Sequence, residues 1–145
     1  MVRVLVIDDE PDVLLLCRVN LRHAGHEVLE AGDGEQGIAD ALERQPDVVV
    51  LDLMLPHIDG YDVLRTLRGD DRTSSVPVLI LTAKTQQADR RRCLELGADA
   101  FITKPFVPDV LGDTIAELAS LSDEERAANR TAALEQPGDP SSDRG

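Results

Sequence analysis

Aromatic residues are almost absent from this chain: two phenylalanines, one tyrosine and no tryptophan among 145 residues. Leucine, valine, isoleucine and alanine must therefore fill the core. Positive charge is also scarce. Fifteen Lys and Arg face 28 Asp and Glu, for a net charge of −13. Such a field repels polyanions, which argues against direct nucleic-acid or anionic-membrane binding and suits a cation site or a basic partner surface. No apolar run approaches the ~18 residues of a membrane span. Val2 to Ile7 is too short for a signal-peptide core and is followed by no small-residue cleavage site. These absences predict a cytoplasmic chain with no membrane partner. The two cysteines, Cys17 and Cys93, lie far apart without metal-ligand spacing, so they read as reduced packing residues.

What is present has the size of one domain. Val2–Ile7 is an apolar run that ends in Asp8-Asp9, and Val48–Leu51 ends in Asp52. Val78–Leu81 runs into Thr82, and Ala100–Thr103 into Lys104-Pro105. With a further strand near His26–Ala31, these runs alternate with helical patterns. The helices are expected at about 11–24, 35–44, 61–68, 86–96 and 109–121. Five alternations call for a parallel sheet covered on both faces by right-handed crossovers. Beyond Leu121 the composition changes. Residues 1–121 read as the domain and 122–145 as an acidic tail. Ser122-Asp-Glu-Glu125 has capping-box spacing, consistent with a short helix over 122–134, and the Pro- and Gly-containing 136–145 reads as disordered.

Open α/β sheets place their chemistry at the carboxyl ends of the strands. Asp8, Asp9 and Asp52 gathered there would repel one another unless a cation or a shared proton relieved them. All-oxygen ligands favour Mg²⁺. Beside such an ion a carboxylate oxygen can attack phosphorus, with the Lys104 ammonium and the Thr82 hydroxyl neutralising the phosphoryl oxygens. The set is sufficient to make an aspartyl phosphate.

At these residues the chain resembles the receiver domains of two-component response regulators. The matching stretches are Val4–Glu10, Val49–Pro56, Ile58-Asp59-Gly60, Leu81-Thr82-Ala83, Gly97-Ala98-Asp99 and Thr103–Phe106. They cover about residues 2 to 121. The resemblance implies a flavodoxin-like, doubly wound five-stranded sheet in the order 2-1-3-4-5 with five flanking helices. It implies that Asp52 accepts phosphate from a sensor histidine kinase or a histidine phosphotransfer protein. Asp9, Asp52 and the Met54 carbonyl would hold Mg²⁺, with Asp8 reaching it through water. Thr82 and Lys104 would bind the phosphoryl group, Lys104–Pro105 would be a cis peptide, and Phe101 would be the aromatic switch. Phosphorylation would reshape the face made by the fourth helix, fifth strand and fifth helix, which leaves a homodimer open. Met54 and Lys84 stand where receivers tune phosphate lifetime. Neither is a carboxylate or amide that would orient water, so self-dephosphorylation should be slow. The expected protein is a stand-alone phosphoacceptor switch that signals to an unidentified output protein, not a turnover enzyme.

Other readings compete. An aspartate-based phosphohydrolase would share the nucleophile but usually carries a second acid where Met54 stands. A non-phosphorylated interaction module would not need Asp8, Asp52, Thr82 and Lys104 together. Gly32-Asp-Gly-Glu-Gln-Gly37 spells a dinucleotide fingerprint, with Asp52 about twenty residues on. It follows the second strand, however, and Asp33 and Glu35 would face the pyrophosphate; turn geometry and a helix start account for its glycines. Asp33 and Asp59 read as caps. In the first helix, Leu14, Cys17, Leu21 and Ala24 share one stripe and should be core. Leu15 and Val19 fall partly off it; they either pack on neighbouring helices or form a docking patch for the kinase's phosphohistidine helix. Arg90-Arg91-Arg92 reads as a solvated basic face able to dock an acidic partner.

Overall fold

The computed structural model describes residues 2–84 and 86–135. Three buried apolar runs and two half-buried edge strands form a single parallel sheet. They are β1 (Arg3–Ile7), β2 (Glu27–Ala31), β3 (Val48–Leu51), β4 (Val78–Thr82) and β5 (Ala100–Thr103). The order is β2-β1-β3-β4-β5, all pairs parallel, as expected. Between them run α1 (Pro11–His23), α2 (Gly34–Arg44), α3 (Gly60–Gly69) and α4 (Gln87–Glu95), followed by α5 (Pro108–Ser120). A sixth helix, α6 (Asp123–Glu135), follows α5. The stretch 136–145, read from sequence as disordered, lies outside the described residues. Among the described residues, no helix is long and apolar enough to cross a membrane.

The continuous apolar runs make sense once both sheet faces are covered. Leu5, Ile7, Val49, Leu51, Val78 and Ile80 face one core with Val63, Leu64 and Leu67 of α3. Their alternates Val4, Val6, Val48, Val50, Leu79 and Leu81 face the other, against Cys17, Leu21, Leu111 and Ile115 of α1 and α5. Burial pushes both thiols, Cys17 and Cys93, up to about 12, so they pack as apolar groups.

Local signals behave as read at the helix starts. The Asp33 carboxylate accepts from the Gln36 N–H at 2.8 Å, and Asp59 from the Asp62 N–H at 3.0 Å. Two glycines of the Gly32–Gly37 stretch serve packing: a Cβ on Gly34 would lie 2.8 Å from the Ile58 side chain and one on Gly37 2.5 Å from Ile7, while one on Gly32 would meet open space. One expectation needs correction. Ala24 is exposed, because α1 stops at His23 and Ala24 is its C-cap rather than another turn of the buried stripe.

Candidate functional site

Strand register builds the site. Ile7 pairs with Leu51, so the next residues, Asp8 and Asp52, leave adjacent strand ends side by side. The Asp8 N–H donates to the Ala31 carbonyl at 3.0 Å and the Asp52 N–H to the Ile7 carbonyl at 3.1 Å. One register step away, Thr82 pairs with Thr103 and its carbonyl accepts from the Lys104 N–H at 2.8 Å. The Lys104–Pro105 peptide is cis.

The Lys104 ammonium is the hub. It lies 2.7 Å from Asp8 Oδ2, 2.9 Å from Asp52 Oδ2 and 3.0 Å from Glu10 Oε1. The main chain holds the two aspartates in place. Asp52 Oδ1 accepts from the Met54 N–H at 3.0 Å, and Asp8 Oδ1 from the Glu10 N–H at 2.9 Å. Asp8 and Asp52 are 1% and 3% exposed. Burial pushes the Asp8 pKa up, against the pull of the Lys104 hydrogen bond. Burial also works to lower the Lys104 pKa. Its hydrogen bonds to Asp8, Asp52 and Glu10 outweigh that and raise it.

Sequence reasoning did not single out Glu10. Its carboxylate lies within 4.8 Å of those of Asp8 and Asp52, whereas Asp9 is exposed and outside that group. The residue had been quoted in the stretch Val4–Glu10, but a helix-start glutamate gives no signal that it will fold back over a strand end. Three carboxylates this close offer the oxygen donors a hard divalent ion needs, so the residues present fit Mg²⁺.

Thr82 is fully buried and its Oγ1 accepts from the Lys84 N–H at 3.3 Å, leaving its own proton to donate elsewhere. Met54 is exposed beside Asp52. Lys84 turns away, with its ammonium 3.9 Å from Asp89 and 5.7 Å from the Tyr61 ring centroid. Phe101, on the edge strand β5, is half-buried, and the Arg90 guanidinium lies over its ring at 5.3 Å. Val13, Leu16, Pro105 and Phe106 line a groove that adjoins Glu10 and Lys104.

The family model for the response regulator receiver domain matches residues 4–116. The chain belongs to that family. RpaA of Synechocystis, described as a DNA-binding dual master transcriptional regulator, is 43% identical over 137 residues, 94% of this receiver and 57% of RpaA. The receiver spans about half the length of the curated relatives it matches. Among solved structures, the chemotaxis protein CheY4 of Vibrio cholerae is 29% identical with a TM-score of 0.78, over 81% of this receiver and 98% of CheY4. The receiver domain of the Pseudomonas aeruginosa sensor histidine kinase PA1611, solved with magnesium coordinated in its active-site cleft, is also 29% identical. Its TM-score is 0.77, over 83% of this receiver and 98% of that chain. The flavodoxin-like fold and the two-component signalling family therefore stand together.

Proposed function

We propose that this receiver is a phosphoacceptor switch acting in the cytosol, in which Asp52 takes a phosphoryl group from a phosphohistidine. What carries the reading is the Asp52 carboxylate, buried at the carboxyl edge and held between the Met54 N–H and the Lys104 ammonium. In the transfer, an Asp52 oxygen forms a P–O bond as the P–N bond to the imidazole breaks, and the imidazole nitrogen leaves. Lys104 moves from Asp52 to a phosphoryl oxygen, a short transfer because its ammonium already sits 2.9 Å from Oδ2. The free Thr82 hydroxyl proton donates to another phosphoryl oxygen. Positioning and charge neutralisation of this kind are most of what phosphoryl transfer requires.

Asp52, with Asp8 and Glu10 beside it, would hold Mg²⁺; the receiver resemblance adds Asp9 and the Met54 carbonyl as ligands, with Asp8 acting through water. Bound there, the ion supplies positive charge for the developing phosphoryl oxygens. Glu10 shields the solvent side of Lys104. Phe101 follows Thr82: as the hydroxyl shifts toward phosphate, the ring turns into the vacated space and the face of α4, β5 and α5 changes. Neither exposed Met54 nor the outward-turned Lys84 orients water on the phosphate, so the aspartyl phosphate is long-lived.

The phosphodonor is the phosphohistidine of a sensor kinase or a phosphotransfer protein. Leu15 and Val19 are 49% and 57% exposed on α1, on the helix whose Val13 and Leu16 line the groove beside Lys104. That apolar surface suits the donor helix. The receiver contacts an output protein rather than nucleic acid, in keeping with its net charge of −13. Mass spectrometry after treatment with acetyl phosphate and Mg²⁺ tests the proposal. One phosphate should appear on the native protein and none on Asp52→Ala. Phosphate on the variant, or none on the native chain, would remove Asp52 from the role.

A further inference from the structure

α4 has little apolar anchorage, since Cys93 is its one buried residue. Its three consecutive arginines supply much of the rest, each differently. The Arg90 guanidinium lies over Phe101, and Arg92 lies 3.9 Å from the Tyr61 ring centroid. Arg91 pairs with Glu95 and donates to the Leu134 carbonyl of α6 at 3.1 Å. The run is solvent-exposed, as it reads in sequence, and its guanidinium ends reach these three partners across the surface.

α6 is fastened by charge rather than by apolar area. Ala127, Ala128, Ala132 and Ala133 are exposed, and its one buried residue is Arg126. The anchor is Asp99, at the turn into β5, whose side chain is 1% exposed. It accepts from Arg68 of α3 at 3.1 Å, from Arg126 at 3.2 Å, from Arg130 and from the Val78 N–H at 2.9 Å. Ser122 and Glu125 close a reciprocal capping box at the helix start.

This anchor is crowded. Three guanidiniums share one carboxylate. Burial, with Arg130 and Arg126 nearby, holds Arg68 below its usual pKa against the pull of Asp99. Among the described residues, Arg126 Nε is a buried donor without an acceptor. Mutual repulsion and an unmet donor both weigh against the docked helix, while the Asp99 bonds favour it. A helix held this way can be released without opening a core.

We propose that α6 is an intramolecular strap on α4: docked, it keeps Arg90 over a half-exposed Phe101, and its release and phosphorylation of Asp52 favour one another. The Leu134–Arg91 bond fixes α4 one residue from Arg90. Arg90 must leave the Phe101 ring before that ring can turn inward, so docking opposes the phosphorylated arrangement. Linkage makes the effect reciprocal. The coupling rests on the proposed role of Asp52; the strap itself does not.

Two variants of the whole 145-residue chain each remove one attachment of the strap, Arg130→Ala at Asp99 and Arg91→Ala at Leu134, with exposed Asn129→Ala as a control. Amide hydrogen exchange without any phosphodonor should be about fivefold faster in both Gln87–Glu95 and Asp123–Glu135, with the five strands unchanged. Exchange that quickens in α6 while α4 keeps its protection would overturn the strap. With acetyl phosphate and Mg²⁺, the initial phosphorylation rate should rise about fivefold in both variants and stay unchanged in Asn129→Ala. An unchanged rate in variants that take phosphate would overturn the coupling. Failure of the native protein to take phosphate would overturn the role of Asp52 and the coupling with it, while the exchange data still judge the strap.

Discussion

Gly60 offers a severe test of how Asp52, the proposed phosphoacceptor, is positioned. It opens α3 immediately beneath the end of β3, and its N–H donates to the Leu53 carbonyl at 3.0 Å. A Cβ there would lie 2.3 Å from the Asp52 carbonyl oxygen and 2.5 Å from Leu53 Cα, both main-chain atoms with no rotamer to yield. Ordinary contact begins at 3.4 Å, so Gly60→Ala must displace the helix start or the strand end by about 1 Å. Overpacking of this kind costs about 1–3 kcal/mol. With a urea m-value of roughly 1–3 kcal/mol/M, the unfolding midpoint should fall by about 1 M. A shift of about 1 Å at a reacting group can slow a reaction about a hundredfold, so acetyl phosphate should label Asp52 at least about tenfold more slowly. Gly112→Ala is the matched comparison. Gly112 lies inside α5 with open space at its Cβ, and the substitution should raise stability by about 1 kcal/mol through helix propensity alone. A Gly60→Ala protein with the native midpoint and labelling rate would refute the close approach of α3 to Asp52.

Other outcomes follow from the same geometry. Because burial raises the Asp8 pKa, the native state holds that proton more tightly than the unfolded chain. The Asp8 contribution therefore weakens as pH climbs from its ordinary value of about 4 through the raised native value. Asp8→Asn should raise the urea midpoint at pH 7, with the gain shrinking in acid; a lower midpoint at pH 7 would contradict this. Leu15→Ala with Val19→Ala should slow phosphorylation by the cognate kinase while sparing acetyl phosphate, and equal slowing of both would dismiss the patch. Truncating Asp99 to alanine leaves three guanidiniums around an empty buried position and should destabilise the fold by about 3–5 kcal/mol in thermal or urea unfolding. The phosphorylated receiver, freed of donor, should keep its phosphate for longer than seconds.

The fold was readable because its three central strands are buried on both faces. Runs such as Val48–Leu51 need no alternation to be recognised, and each ends on a chemically distinctive residue. The strand ends also delivered Asp8, Asp52 and Lys104 to one place, since register in a parallel sheet fixes which residues leave together. What stayed hidden depends on side chains that leave regular structure. Glu10 joins Lys104 only because Pro11 starts α1 at once and the Asp8 carboxylate binds the Glu10 N–H, turning the chain back. Arg90, Arg91 and Arg92 are exposed as read, but the partners of their guanidinium ends were invisible for another reason. A long charged side chain reads as solvated until the ring or carbonyl it reaches is known. Asp99 carried a family match but no hint that three arginines from two helices would converge on it.

Tyr61 has a practical consequence. Its hydroxyl donates to Asp89 of α4 at 2.7 Å, and Arg92 of the same helix covers its ring. It is the only tyrosine in a chain without tryptophan. The near-ultraviolet circular dichroism and emission of the unlabelled protein therefore come chiefly from one ring wedged between two helices. Any slide of α4 along α3 is written into that optical signal, with no dye or engineered fluorophore required.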